Sequence, residues 1–232
     1  MSDVTEKRMN LSALAEKYGS DKGLRAHKYT QLYDMLFYPF RDQPITFLEM
    51  GLQIGGPEHS KSADRETTDA PSARMWLEYF PKAEIIGLDV SDFSWLQADR
   101  WSFIRCDMDN RNAIREASEA AVSYDIIIDD ASHASSHQQD AFLEFFPKLR
   151  SGGLYIIEDL QWQPGVYEKK KPGITKTAAL FQDFLKFGEF RHAFEDTNAE
   201  LNALAGDISG CFLFQKGFQK HLKDKVVVIH KA

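Results

Sequence analysis

Five short, continuous apolar runs constrain this chain more than any other feature. They are residues 45–50 (ITFLEM), 84–89 (EIIGLD), 102–106 (SFIRC), 124–130 (YDIIIDD) and 154–158 (LYIIE). A strand that is apolar along its whole length must be covered on both faces. Alternation with helical segments therefore specifies an α/β fold with a parallel sheet between two helical layers. The intervening periodicity predicts helices over Leu11 to Tyr18 (Asn10 as cap, Gly19 as stop), Thr30 to Phe37, Ser72 (as cap) to Phe80, Ala113 to Ala121, Ser136 to Leu149 and Thr177 to Phe187. Two later runs, Cys211 to Phe214 and Val226 to Ile229, sit close together and are expected to pair antiparallel, closing the sheet.

At 232 residues, 43% of them hydrophobic, the chain can fill one large core, and a single domain is expected over 1–232. Within it, 1–43 reads as a helical cap, 44–160 as a cofactor-binding core, and 161–232 as a loop, a helix and the closing hairpin. The net charge of −7 argues against nucleic acid and against an anionic membrane surface as partners. Cys106 and Cys211 lie in apolar stretches and read as reduced, buried thiols. No apolar run approaches the ~20 residues of a membrane span. The N-terminal MSDVTEKRMN has no apolar centre, so a cytoplasmic location is expected.

Ligands of open α/β sheets bind at the carboxyl ends of the strands, and the sequence gathers its chemistry there. The first group is the turn Glu49 to Gly56 together with Asp89. Glycine lets the backbone turn tightly, and Asp89 could accept from ribose hydroxyls. Gln53 stands where a G-x-G-x-x-G fingerprint needs its second glycine, which weakens a dinucleotide reading. A nucleoside without phosphate, such as S-adenosylmethionine (SAM), fits better, with Glu49 near its sulfonium. A glycine turn of any α/β protein would look similar. After the third run, Asp107 could bond an adenine amino group while Met108 packs on the ring; Asp109 or Asn110 could equally cap the following helix.

Asp129, Asp130 and His133 end the fourth run, and Glu158 and Asp159 end the fifth. On neighbouring parallel strands about 5 Å apart these carboxylates would repel unless neutralised. A divalent cation such as Mg²⁺ would do so. Strand alternation predicts that Asp129 and Asp130 do not both ligate. His133 would then stand beside the metal as a general base. The plainer reading makes Asp130 a helix cap and leaves His133 and His137 at the surface. Residues 18–22 (YGSDK), with His27, Tyr29, Thr30 and Tyr33, could fold over a cofactor or lie at the surface. Residues 57–71 and 161–176 are polar loops beside the strand ends, and Lys169–Lys171 reads as a solvated run.

Tyr18-Gly19-Ser20-Asp21-Lys22, the Glu49/Gly51 turn, Arg74-Met75-Trp76, Gly87-Leu88-Asp89, Ile128 to His133 and Gly152 to Gln161 fall in the order of a known family. Over residues 16–162 the chain resembles the macrolide-sugar O-methyltransferases of the macrocin and mycinamicin type, related to the methyltransferase-like cephamycin-biosynthesis protein. The resemblance implies a Rossmann-like class I methyltransferase with a seven-stranded sheet. It implies SAM and Mg²⁺ as cofactors, a hydroxylated, glycosylated natural product as acceptor, and a homo-oligomer. By position it makes Asp130, Glu158 and Asp159 metal ligands and His133 the base. Glu49, Gly51, Asp89, Asp107, Met108 and Asp130 fall in the cofactor-binding stretches, with Thr30 and Tyr33 as contacts from the leading helix. The mycinamicin-type member carries an extra N-terminal domain for which no room is expected here. A SAM-binding protein that does not methylate, or a nicotinamide-dependent oxidoreductase, would share the fold.

Overall fold

The computed structural model describes residues 8–216 and 224–232. Two helices lead in. In α1 (Leu11–Tyr18), Asn10 accepts from the Ala13 N–H, and Gly19 stops the helix in a left-handed conformation at φ 77°. α2 (Tyr29–Phe37) follows a crossing loop. The α/β alternation then runs β1 (Thr46–Met50), α3 (Pro71–Tyr79), β2 (Glu84–Asp89), β3 (Trp101–Arg105), α4 (Arg111–Ser118), β4 (Tyr124–Asp129), α5 (Ser135–Phe145) and β5 (Leu149–Ile157). The chain ends with α6 (Gly165–Glu168), α7 (Thr177–Phe187), α8 (Glu195–Ala205), β6 (Ile208–Lys216) and β7 (Asp224–Lys231).

The seven strands form one sheet in the order β3-β2-β1-β4-β5-β7-β6. The first five are parallel; β7 inserts antiparallel between β5 and β6. One apolar cluster, with α4, α5 and α7, fills one face. A second, with α1, α2 and α3, fills the other. The strand order reverses between β1 and β4, the switch point where such sheets open a crevice. There the backbones nearly touch: a Cβ on Gly51, which has φ +84°, would lie 2.2 Å from the Asp130 carbonyl oxygen.

Several local expectations are corrected. Ser72 does not cap α3; it lies inside the helix, and its hydroxyl donates to Glu49 Oε2 at 2.7 Å. The fifth helix ends at Phe145, and Leu149 already belongs to β5. α6 and α8 were not anticipated, the latter because it buries only Leu201. Cys106 is buried and Cys211 half-buried, both as free thiols. No helix among the described residues is long and apolar enough to cross a membrane.

Candidate active site

A cleft of about 760 Å³ opens at the carboxyl ends of the strands, within the range of small-molecule sites. Of the residues singled out above, Gly51, Asp89, Asp107, Met108, Asp130, His133 and Asp159 line it. Thr30, Tyr33, Glu49 and Glu158 stand behind its wall, each at most 1% exposed.

On one side the wall is formed around Asp89, Asp107 and Met108. Asp89 ends β2, accepting from the Leu52 N–H at 2.7 Å through Oδ2 and the Ser91 N–H at 2.8 Å through Oδ1. These bonds fix the carboxylate and leave each oxygen a lone pair; burial pushes its pKa up. Asn110, not Asp107 or Asp109, caps α4. Asp107 Oδ1 accepts from the Asp109 N–H at 3.0 Å, and Asp107 and the buried Met108 both line the cleft.

On the other side lie the strand ends of β4 and β5. One ligand atom each from Asp130, His133 and Asp159 come within 4.8 Å of one another. His133 Nε2 is 3.8 Å from Asp159 Oδ2, while its buried Nδ1 has no hydrogen-bond partner. Both residues adopt left-handed backbone, His133 at φ 58° and Asp159 at φ 54°. Burial works against the charge on Asp159, but His133, His27, Tyr29 and Gln161 outweigh it and hold its pKa below the usual range. Two oxygen donors and an imidazole nitrogen suit a hard or borderline divalent cation, so this group fits a metal. A second trio, His27, Asp159 and Asp224, is as compact. There Asp159 Oδ1 already accepts from Tyr29 and from Gln161 Nε2 at 3.0 Å, and His27 pairs with Asp224 at 3.3 Å. That arrangement is a charge pair, not an open ligand set.

Glu158 does not join the Asp130 group. Its oxygens lie 3.0 and 3.1 Å from Lys22 Nζ, and Oε1 accepts from the Tyr33 hydroxyl at 2.5 Å. Burial and the Asp130 charge push its pKa up. Burial also pushes Glu49 to about 6. Asp129 turns away from the cleft, as strand alternation requires, and burial lifts it to about 6. The sequence marks Lys22 only as part of the 18–22 segment that could fold over a cofactor or lie at the surface; it does not show that the lysine meets the strand-end carboxylates.

His137 is not a surface residue but 5% exposed. Its Nε2 lies 2.9 Å from Asp109, and its Nδ1 lies 2.6 Å from the Ser132 hydroxyl. Lys170 bonds the same Asp109, and Lys171 reaches Asp140 at 3.2 Å, so the lysine run is not merely solvated. It pins the 161–176 loop to the cleft. That loop also sets the Trp162 ring 5.5 Å from the His133 ring and 5.9 Å from the His59 ring.

No family model matches the sequence. The chain is 39% identical over 152 residues to the 8-demethyl-8-alpha-L-rhamnosyl tetracenomycin-C 2'-O-methyltransferase of Streptomyces olivaceus (65% of this chain, 38% of that protein). It is 31% identical over 182 residues to the demethylmacrocin O-methyltransferase of Streptomyces fradiae (78% and 44%). It is 34% identical over 151 residues to the mycinamicin VI 2''-O-methyltransferase of Micromonospora griseorubida (65% and 36%). The chain thus spans less than half the length of these relatives. Among solved structures it matches the MycE methyltransferase in complex with Mg, SAH and mycinamycin VI, with TM-score 0.72 and 26% identity, over 97% of this chain and 55% of that one.

Proposed function

We propose that this chain, a relative of the macrocin- and mycinamicin-type sugar O-methyltransferases with their class I methyltransferase fold, methylates a sugar hydroxyl on a glycosylated small molecule, using SAM and a divalent cation. The observation that carries this reading is the convergence of Asp130, His133 and Asp159 on the cleft wall, in the same cleft as Asp89, Asp107 and Met108.

SAM supplies the methyl group as an electrophile. A divalent cation held by the Asp130 and Asp159 carboxylates would supply a positive charge that acidifies the acceptor hydroxyl; Glu158, the third ligand that the family resemblance implies, is instead engaged by Lys22 and Tyr33 behind the cleft wall. The remaining work belongs to the chain. Asp89 accepts from the ribose hydroxyls; Asp107 and Met108 take the adenine edge and face. His133 Nε2 takes the acceptor's proton, and Asp159 at 3.8 Å stabilises the imidazolium that forms. The backbone conformations at His133 and Asp159 hold base and carboxylate in place before the acceptor arrives, so most of the acceleration comes from orientation and charge placement.

The test incubates the protein with SAM and a panel of rhamnosylated and other deoxysugar-bearing polyketides, and measures S-adenosylhomocysteine release. Release that stops in EDTA and returns with Mg²⁺ is expected. Turnover that persists in EDTA would remove the metal from the mechanism. Binding of SAM without product from any acceptor would favour a non-methylating role.

A further inference from the structure

Lys22 takes no part in the chemistry above, yet its side chain is only 2% exposed. Its ammonium lies 3.0 Å from Glu158 Oε1 and 3.5 Å from Glu49 Oε1, and it donates to Asp130 Oδ2. Those carboxylates come from the end of β1 and the turns after β4 and β5, adjacent strands at the middle of the sheet. One cation, delivered from the loop between α1 and α2, therefore faces three carboxyl groups.

The loop is shaped for this delivery. Gly19 turns the chain at φ 77°, and the Lys22 carbonyl accepts from the Thr30 N–H at 3.1 Å. Gly23 packs so close to α1 that a Cβ there would lie 2.9 Å from the Ala15 Cβ.

We propose that Lys22 is a positioning residue: a permanent counter-cation that assembles Glu49, Asp130 and Glu158 into the cleft floor before any metal or cofactor enters. Two buried carboxylates, Glu49 and Glu158, and the half-buried Asp130 would repel one another without a cation, and the buried pair would lose its hydration. A divalent ion as their sole counter-charge would make folding depend on metal. Lys22 separates the two events, so the folded cleft exists first and the metal is left to serve the reaction.

The test is thermal melting of the whole chain in EDTA, with no acceptor or cofactor. Lys22→Met keeps the stem and removes the charge; its Tm is expected to fall by about 10 °C. Lys22→Met/Glu158→Gln, with one carboxylate charge removed, is expected to recover at least half of that loss. Mg²⁺ is expected to raise the Tm of Lys22→Met more than that of the wild type. A Lys22→Met protein as stable as wild type in EDTA would overturn the proposal. So would a double variant no more stable than the single one, including the case in which neither can be obtained folded. The Mg²⁺ arm rests on the functional reading above, and the two fail separately: recovery by Glu158→Gln with no Mg²⁺ shift in either protein keeps Lys22's role and strikes the metal reading.

Discussion

His133 combines a place on the cleft wall with a costly backbone. Left-handed φ in a residue other than glycine costs on the order of 1 kcal/mol, and here it falls on the proposed base His133 and on its neighbour Asp159. Glycine carries no such penalty. His133→Gly should therefore melt within about 3 °C of the wild type while losing about 10²-fold or more in turnover, with S-adenosylhomocysteine affinity unchanged by calorimetry. A large fall in Tm would mean that the side chain, not the turn, holds this part of the cleft. Asp130, His133 and Asp159 were legible in the sequence because strand ends at a switch point are where such folds place their chemistry. The partners that hold the carboxylates were not. Lys22 and Tyr29 reach Asp130 and Asp159 across more than 100 residues, from a loop and helix whose local pattern says only that they are polar or aromatic.

At the scale of elements, the short apolar runs located the five parallel strands; β1, β2 and β4 are buried almost throughout, whereas β3 is an edge strand whose residues are only half-buried or exposed. Periodicity placed the α5 boundary late, since Phe146 and Leu149 continue the apolar face after the helix has ended. It missed α8, where only Leu201 is buried. The 161–176 loop is the least legible element, since its order comes from contacts outside itself. Lys170 meets Asp109, Asp109 meets His137, and His137 meets Ser132. Burial holds the His137 imidazole below its usual 6.5, outweighing the attraction of Asp109 and Asp140, and Lys170 pushes the same way. The folded protein keeps this ring neutral, with Nε2–H donating to Asp109 and Nδ1 accepting from Ser132. As pH falls below about 6.5 the unfolded chain takes up this proton first, so the contribution is complete above that pH and is lost below it. His137→Gln should flatten the pH dependence of stability between pH 7 and 5.5, by up to about 1.4 kcal/mol per pH unit in urea melts. An unchanged slope would show that the imidazole is not held neutral.

For the whole molecule, the acidic balance that spoke against nucleic acid now has a local meaning. Several of its carboxylates are gathered at one edge of the sheet, around Lys22 and the cleft floor. The proposed function also separates cofactor classes. Gln53, at the position where a dinucleotide turn carries its second glycine, donates to the Glu66 carbonyl at 3.3 Å. S-adenosylhomocysteine at a hundredfold excess over its Kd should add about 2.7 kcal/mol, a rise in Tm of roughly 5 to 10 °C, and NADPH should add none. The reverse order would place the chain among oxidoreductases. The cleft's two zones also differ in what they allow evolution to change. Its floor is locked by strand register, left-handed turns and a buried cation. Its rim carries Ile54 (70% exposed) and Trp162 (40%) on loops and Val166 (43%) on the short helix α6. Substitutions at the rim disturb no strand and no buried charge. A library confined to those three positions can explore new acceptors at little risk to folding, and a descendant with a new substrate would be recognisable by an altered rim over an unaltered floor.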